Sequence, residues 1–193
     1  KKLIRSAKKS GADYAKFQIY NTSEMVTHKA KKAKYQSSKM GLAISQKKML
    51  EKYQLNEAQI NQLNKYCNKI GIKFLASIFD EKSLEILNKI KVDFIKLPSS
   101  EITNYFLLKK LNLNKYKIIL STGMSNLKEI KDAINLIAKC EVYKFKDGKI
   151  FIKDKKKFDF IKNKIFLLHC ISDYPTDEKY LNLRCIQTLE KQF

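Results

Sequence analysis

The stretch DFIKLPSSEITN, residues 93–104, decides how the rest of the chain is read. It opens as a buried strand with a lysine inside it and closes on two serines and a glutamate. Side chains two apart on a strand share a face, so Phe94 and Lys96 project one way and Ile95 and Leu97 the other. In a β/α barrel the chemistry gathers at the C-terminal ends of the strands. Lys96 is therefore expected to point into the barrel mouth.

On either side of this stretch, short β-rich runs alternate with helical periodicity. The strand candidates are residues 14–20 (YAKFQIY), 73–79 (KFLASIF), 93–97 (DFIKL), 117–121 (KIILS) and 164–170 (KIFLLHC). Amphipathic stretches fall between and after them, at 56–70, 81–90, 126–139 and 181–192, and another, LIRSAKKSGAD, precedes the first strand. Strand, helix and strand at this spacing predict parallel pairing through right-handed crossovers. No GxGxxG turn and no P-loop occur in a chain with five glycines, which argues against an open nucleotide-binding sheet. The predicted fold is α/β: residues 1–193 form a partial (β/α)8 TIM barrel holding about five of the eight βα units.

Two segments depart from this rhythm. Residues 21–57 are long for one crossover and are expected to include a loop over the barrel mouth. Residues 141–163 alternate around a KDGK turn and read as an inserted β-hairpin, expected to be a solvated decoration. The chain opens without methionine at what reads as mid-helix and stops after another helix, as expected of a central fragment.

Composition narrows the function classes. Hydrophobic residues make up 44% of the chain, enough for a globular core. No apolar run approaches the roughly 18 residues that a membrane span needs, and the N-terminus lacks the pattern of a signal peptide. A cytoplasmic protein is expected. Cys67, Cys140, Cys170 and Cys185 form no CxxC pair, so they are read as small core residues rather than metal ligands or a disulfide framework. The formal charge of +21 raises nucleic-acid binding. Arg5 and Arg184 are the only arginines, however, and the lysines are spread over the whole chain, so a solvated lysine-rich surface is favoured and nucleic acid is disfavoured.

The polar groups at the strand ends suggest an anion site. Lys16 and Gln18 share a face near the end of the first strand, which gives a second inward lysine. Hydroxyls recur where the strands run out, at Ser77, Ser99, Ser100, Ser121, Thr122 and Ser172. Any one of them alone reads first as a helix cap. Together with Lys16 and Lys96 they can supply donors to a phosphate and a carboxylate. Glu101 would accept hydrogen bonds from a hydroxylated or amide-bearing co-substrate, or else cap the following helix. His169 and Cys170 are strand neighbours facing opposite ways, which argues against a Cys/His nucleophile, and His28 stands alone in a lysine-rich loop.

The ordered series KFQ (16–18), KYQ (34–36), FLASIFD (74–80), IKLPSSEITN (95–104), IILSTGMSNLKEI (118–130), LLHCISDYP (167–175) and NLRCIQTL (182–189) resembles the sialic-acid synthase family. This family comprises the N-acylneuraminate, legionaminate and pseudaminate synthases. The resemblance implies a barrel followed by a small antifreeze-protein-like domain, which lies outside these residues. It also implies condensation of phosphoenolpyruvate with an N-acylated hexose, such as N-acetylmannosamine or a diacetamido-hexose. C3 of phosphoenolpyruvate attacks the open-chain aldehyde, water adds at C2, and phosphate leaves by C–O cleavage. By the same resemblance Lys16, Ser77, Lys96, Ser99, Ser121 and Ser172 hold phosphoenolpyruvate, and Gln18, Glu101 and Tyr174 contact the sugar. Lys96 and Glu101 are the implied catalytic pair. A divalent metal, Mn²⁺ or Mg²⁺, and a homodimer are also implied, with the metal ligands expected outside this chain.

Departures from the family pattern bear on substrate preference more than on reaction class. Ser77 stands where members usually carry threonine, Ile78 where they carry proline, and Ser100 where they carry glycine. Ser172 often aligns with asparagine or threonine. Two other readings stay open: an inactive fragment or basic nucleic-acid-binding protein, and a related phosphoenolpyruvate-dependent sugar-acid synthase.

Overall fold

A computed structural model describes residues 1–27, 30 and 45–193. The KYQ motif at 34–36, His28 and the middle of the expected 21–57 loop lie outside the described residues. The chain divides into two compact units, Lys1–Val92 and Asp93–Phe193, and each is α/β with its own parallel strands.

The first unit runs α1 (Lys2–Lys9), β1 (Tyr14–Ile19), α2 (Thr22–Met25), α3 (Gln46–Tyr53), α4 (Glu57–Ile70), β2 (Lys73–Ile78) and α5 (Glu81–Asn88). The longest helix among the described residues, α4, begins with a capping box. The Asn56 side chain accepts the Gln59 N–H at 2.8 Å, and the Gln59 side chain accepts the Asn56 N–H at 3.0 Å. β1 and β2 pair in parallel from Tyr14 opposite Lys73 to Ile19 opposite Ile78. One face of the pair buries Ala15, Ile19, Phe74, Ala76 and Ile78, and Phe17 stacks on Phe74 with ring centroids 4.9 Å apart. Ile4, Ile60, Cys67, Leu84 and Leu87 complete the unit's core from the helices. The alternate positions, Lys16, Gln18, Leu75 and Ser77, occupy the other face.

The second unit runs β3 (Phe94–Leu97), a 3-10 turn (Ser99–Glu101), α6 (Tyr105–Lys110), β4 (Lys117–Ser121) and α7 (Leu127–Ala138). It continues with the hairpin β5 (Tyr143–Lys146) and β6 (Lys149–Ile152), then α8 (Lys155–Ile161), β7 (Ile165–Leu168), a 3-10 turn (Glu178–Tyr180) and α9 (Arg184–Gln192). β4 pairs in parallel with β3 on one side and β7 on the other. Ile95, Leu97, Ile118 and Leu120 are fully buried on one face, and Leu107, Leu108, Ile130, Ile134 and Ile137 are buried on the helices. The opposite face carries Phe94, Lys96, Ile119, Ser121, Phe166 and Leu168, with the rings of Phe94 and Phe166 5.7 Å apart.

Several boundaries differ from expectation. The run at 164–170 ends its strand at Leu168, so His169 and Cys170 lie past the ladder and strand alternation does not govern them. Helix α8 was not expected, and α6, the helix expected to follow the 99–101 cluster, is only six residues long. The hairpin in 141–163 forms as read, with Tyr143 opposite Ile152 and Lys146 opposite Lys149. It is more than a decoration, because Val142, Tyr143 and Ile161 are buried. Only Cys67 among the cysteines is a core residue; Cys140 and Cys170 are half-buried and Cys185 is exposed. No helix among the described residues is long and apolar enough to cross a membrane.

Candidate active site

In the second unit the exits of β3, β4 and β7 converge through a few specific bonds. The Lys96 ammonium donates to the Ser121 hydroxyl at 2.8 Å. The Ser99 hydroxyl accepts the Gly123 N–H at 3.0 Å. Gly123 itself sits against the segment after β7: a Cβ there would lie 2.9 Å from the Cys170 carbonyl oxygen and 3.1 Å from Ser99 Oγ. Thr122 closes the group, since both its N–H and its hydroxyl donate to the Leu168 carbonyl at 3.0 Å.

These bonds sort the hydroxyls. Thr122 spends its proton on the fold. Ser99 and Ser121 accept from the protein, and among the described residues neither donates to a protein acceptor. Ser121 is only 2% exposed, so its unspent proton sits in a nearly dry place, among Lys96, Ile119 and Leu168. A buried donor without an acceptor is costly unless a ligand supplies one.

None of the strand-end hydroxyls caps a helix. The caps are Asp80 for α5, Asn104 for α6 and Asn126 for α7. Asp80 also ties the β2 exit to the β1 exit. One of its oxygens takes the Ser83 N–H at 2.7 Å and hydroxyl at 2.8 Å, and the other takes the Asn21 N–H at 2.7 Å. Glu101 does not cap a helix directly. Its carboxylate accepts from Ser100 Oγ at 2.9 Å on one oxygen and from Asn104 Nδ2 at 2.8 Å on the other.

The remaining candidates are placed as follows. Lys16 and Gln18 are exposed on β1, and Gln18 stands in register with the buried Ser77 on β2. Ser172 and Tyr174 are exposed in the segment after β7. His169 bonds the Leu181 carbonyl at 2.7 Å and so fastens that segment. Sequence reasoning missed Gly123, Asn104 and Asp80. The last two carry a legible signal, an Asx residue directly before a helix. Gly123 carries none, because what excludes a side chain there comes from the chain 47 residues on, at Cys170.

A divalent metal finds no donor set here. Among the described residues no three His, Cys, Asp or Glu side chains gather in a way that could hold one. No chemical step is therefore assigned to a metal.

The model of the NeuB family matches residues 3–193. The chain belongs to the NeuB family. Within it, the chain is 39% identical over its whole length to the N,N'-diacetyllegionaminic acid synthase of Campylobacter jejuni, of which it covers 52%. It is 33% identical, again over its whole length, to the enzyme of the same name from Legionella pneumophila, covering 50% of it. It thus spans about half the length of these NeuB-family relatives. Among solved structures, the N-acetylneuraminic acid (sialic acid) synthetase of Leptospira borgpetersenii, in complex with citrate, matches the entire chain with a TM-score of 0.72 and 26% identity. The match covers 55% of that protein.

Proposed function

We propose that this chain contributes the phosphoenolpyruvate-holding part of a nonulosonic-acid synthase. The whole enzyme would condense phosphoenolpyruvate with an N-acylated hexose and release phosphate. The observation that carries the reading is the cradle of Lys96, Ser99 and Ser121: one cation and two hydroxyls whose acceptor roles are already engaged. Such a group offers protons to an acceptor-rich anion and has little to offer a neutral or cationic ligand. NeuB-family membership and relatives named as legionaminic and sialic acid synthases support the same reading.

In this mechanism Lys96, Ser99 and Ser121 hold phosphoenolpyruvate while its C3 forms the new C–C bond to the sugar aldehyde carbon. Water then adds at C2, and the C2–O bond breaks with its electron pair leaving on phosphate. Lys96 offsets the charge that builds on the departing group. Glu101 accepts hydrogen bonds from the sugar. The family resemblance adds Lys16, Ser77 and Ser172 to the phosphoenolpyruvate contacts and Gln18 and Tyr174 to the sugar contacts. It also supports a cytoplasmic, homodimeric and metal-dependent enzyme.

The test is phosphate release from phosphoenolpyruvate by the protein that carries this chain, offered N-acetylmannosamine or a diacetamido-hexose with Mn²⁺. Turnover with a nonulosonic acid identified by mass is expected. Lys96→Ala should lower kcat/KM roughly 10- to 150-fold, the range for losing a charge-assisted hydrogen bond. No phosphate release with any N-acylated hexose would overturn the reading. A product built on a different aldehyde sugar would move it to a related synthase.

A further inference from the structure

The Glu101 carboxylate is held on both oxygens by neutral donors. The protein carries 40 lysines and arginines against 19 acids, yet among the described residues no cation lies within ion-pair distance of Glu101. Its two oxygens instead take one neutral donor each, Ser100 Oγ at 2.9 Å and Asn104 Nδ2 at 2.8 Å. Asn104 is anchored in turn, because its Oδ1 accepts the Leu107 N–H at the start of α6 at 3.2 Å. The 3-10 turn keeps these residues in step, with the Asn104 N–H donating to the Glu101 carbonyl at 3.0 Å.

A glutamate side chain loses rotamer freedom when it is fixed. Here that freedom is surrendered before any ligand arrives, which is how preorganisation improves binding. A carboxylate has about four lone-pair sites, so two internal donors leave one on each oxygen. Neutral braces also leave the charge unneutralised, so the remaining lone pairs stay strong acceptors.

On the reading of the preceding section, we infer that Ser100, acting with Asn104, is a positioning residue. It sets the Glu101 carboxylate to receive two neighbouring donors of the acceptor sugar, a hydroxyl beside another hydroxyl or beside an acylamino N–H. The hydroxyl of Ser100 is thereby a determinant of sugar affinity and not of phosphoenolpyruvate affinity.

The test is a kinetic comparison of wild type, Ser100→Ala and Ser100→Thr, with Glu101→Gln as reference. The KM values for the hexose and for phosphoenolpyruvate are measured separately, and exchange of the Leu107 amide is followed as a structural readout. Ser100→Ala is expected to raise the hexose KM about 3- to 10-fold, as for loss of one hydrogen bond, with the phosphoenolpyruvate KM unchanged and Ser100→Thr close to wild type. Unchanged hexose KM in Ser100→Ala, with Glu101→Gln impaired, overturns the inference alone. A joint rise of both KM values with faster Leu107 exchange also overturns it, by showing a purely structural role. Absence of turnover by wild type overturns the functional reading and takes this inference with it.

Discussion

Gly123 has backbone or bonded side-chain atoms close to where its Cβ would be. The Cys170 carbonyl oxygen stands 2.9 Å from that position, its carbon 3.1 Å and Ser99 Oγ 3.1 Å. The two closest are backbone, which gives way only by moving the segment after β7. Gly123→Ala is therefore expected to destabilise the protein by about 1–3 kcal/mol, the usual cost of overpacking, read as a lower urea midpoint. An unchanged midpoint would mean that the strand exits separate freely. Lys96 was legible in the sequence because a strand's period of two leaves no choice about which neighbours share its face. The division of labour among Ser99, Ser121 and Thr122 was not. A hydroxyl both donates and accepts, and only the partners brought in by the fold decide which role is left over.

At the scale of elements, the inserted hairpin docks through Tyr143. Its N–H and that of Val142 donate to Asn135 Oδ1 on α7, its carbonyl accepts from Asn135 Nδ2, and its hydroxyl donates to the Phe193 carbonyl at 2.8 Å. Its ring meets Phe158 of α8 and Phe193 edge-on. Burial pushes the Tyr143 hydroxyl up to about 12, from an ordinary value near 10. The folded protein therefore holds this proton more tightly than the unfolded chain does. Its contribution is fully present below about pH 10 and is lost as pH rises towards about 12. Tyr143→Phe is expected to flatten the fall in urea midpoint across that window relative to wild type; equal slopes would show that Tyr143 does not govern it. The alternation of YKF and IFIK around KDGK revealed the hairpin. It could not reveal the docking, because Tyr143 alternates like its neighbours and only contact with α7 and Phe193 makes it a core residue. The helix α8 escaped notice for a simpler reason: KKKFDFI is seven residues long, Phe158 and Phe160 fall on opposite sides of it, and only Ile161 is buried.

At the scale of the whole molecule, the βα rhythm was readable throughout the described residues, and the strand candidates near 14, 73, 93, 117 and 164 all form parallel strands. The charge of +21 gave no comparable guidance, because lysines scattered along a chain report on its surface and not on its topology. The spacing of the strand pairs has a consequence in time. Phe94 pairs with Lys117, but Ile118 must find Ile165 beyond α7, the hairpin and α8, a loop about twice as long. Doubling a loop adds only about 0.6 kcal/mol of closure entropy, a small matter for stability that still favours the shorter pairing first during folding. We expect β7 to join β4 after β3 has done so, and pulse-labelled hydrogen exchange would contradict this if the Thr122 amide became protected before the β3–β4 amides. Thr122 bonds Leu168 and Gly123 rests on Cys170, so the junction of the β3, β4 and β7 exits in a newly made chain becomes complete only after the entire insertion has been synthesised.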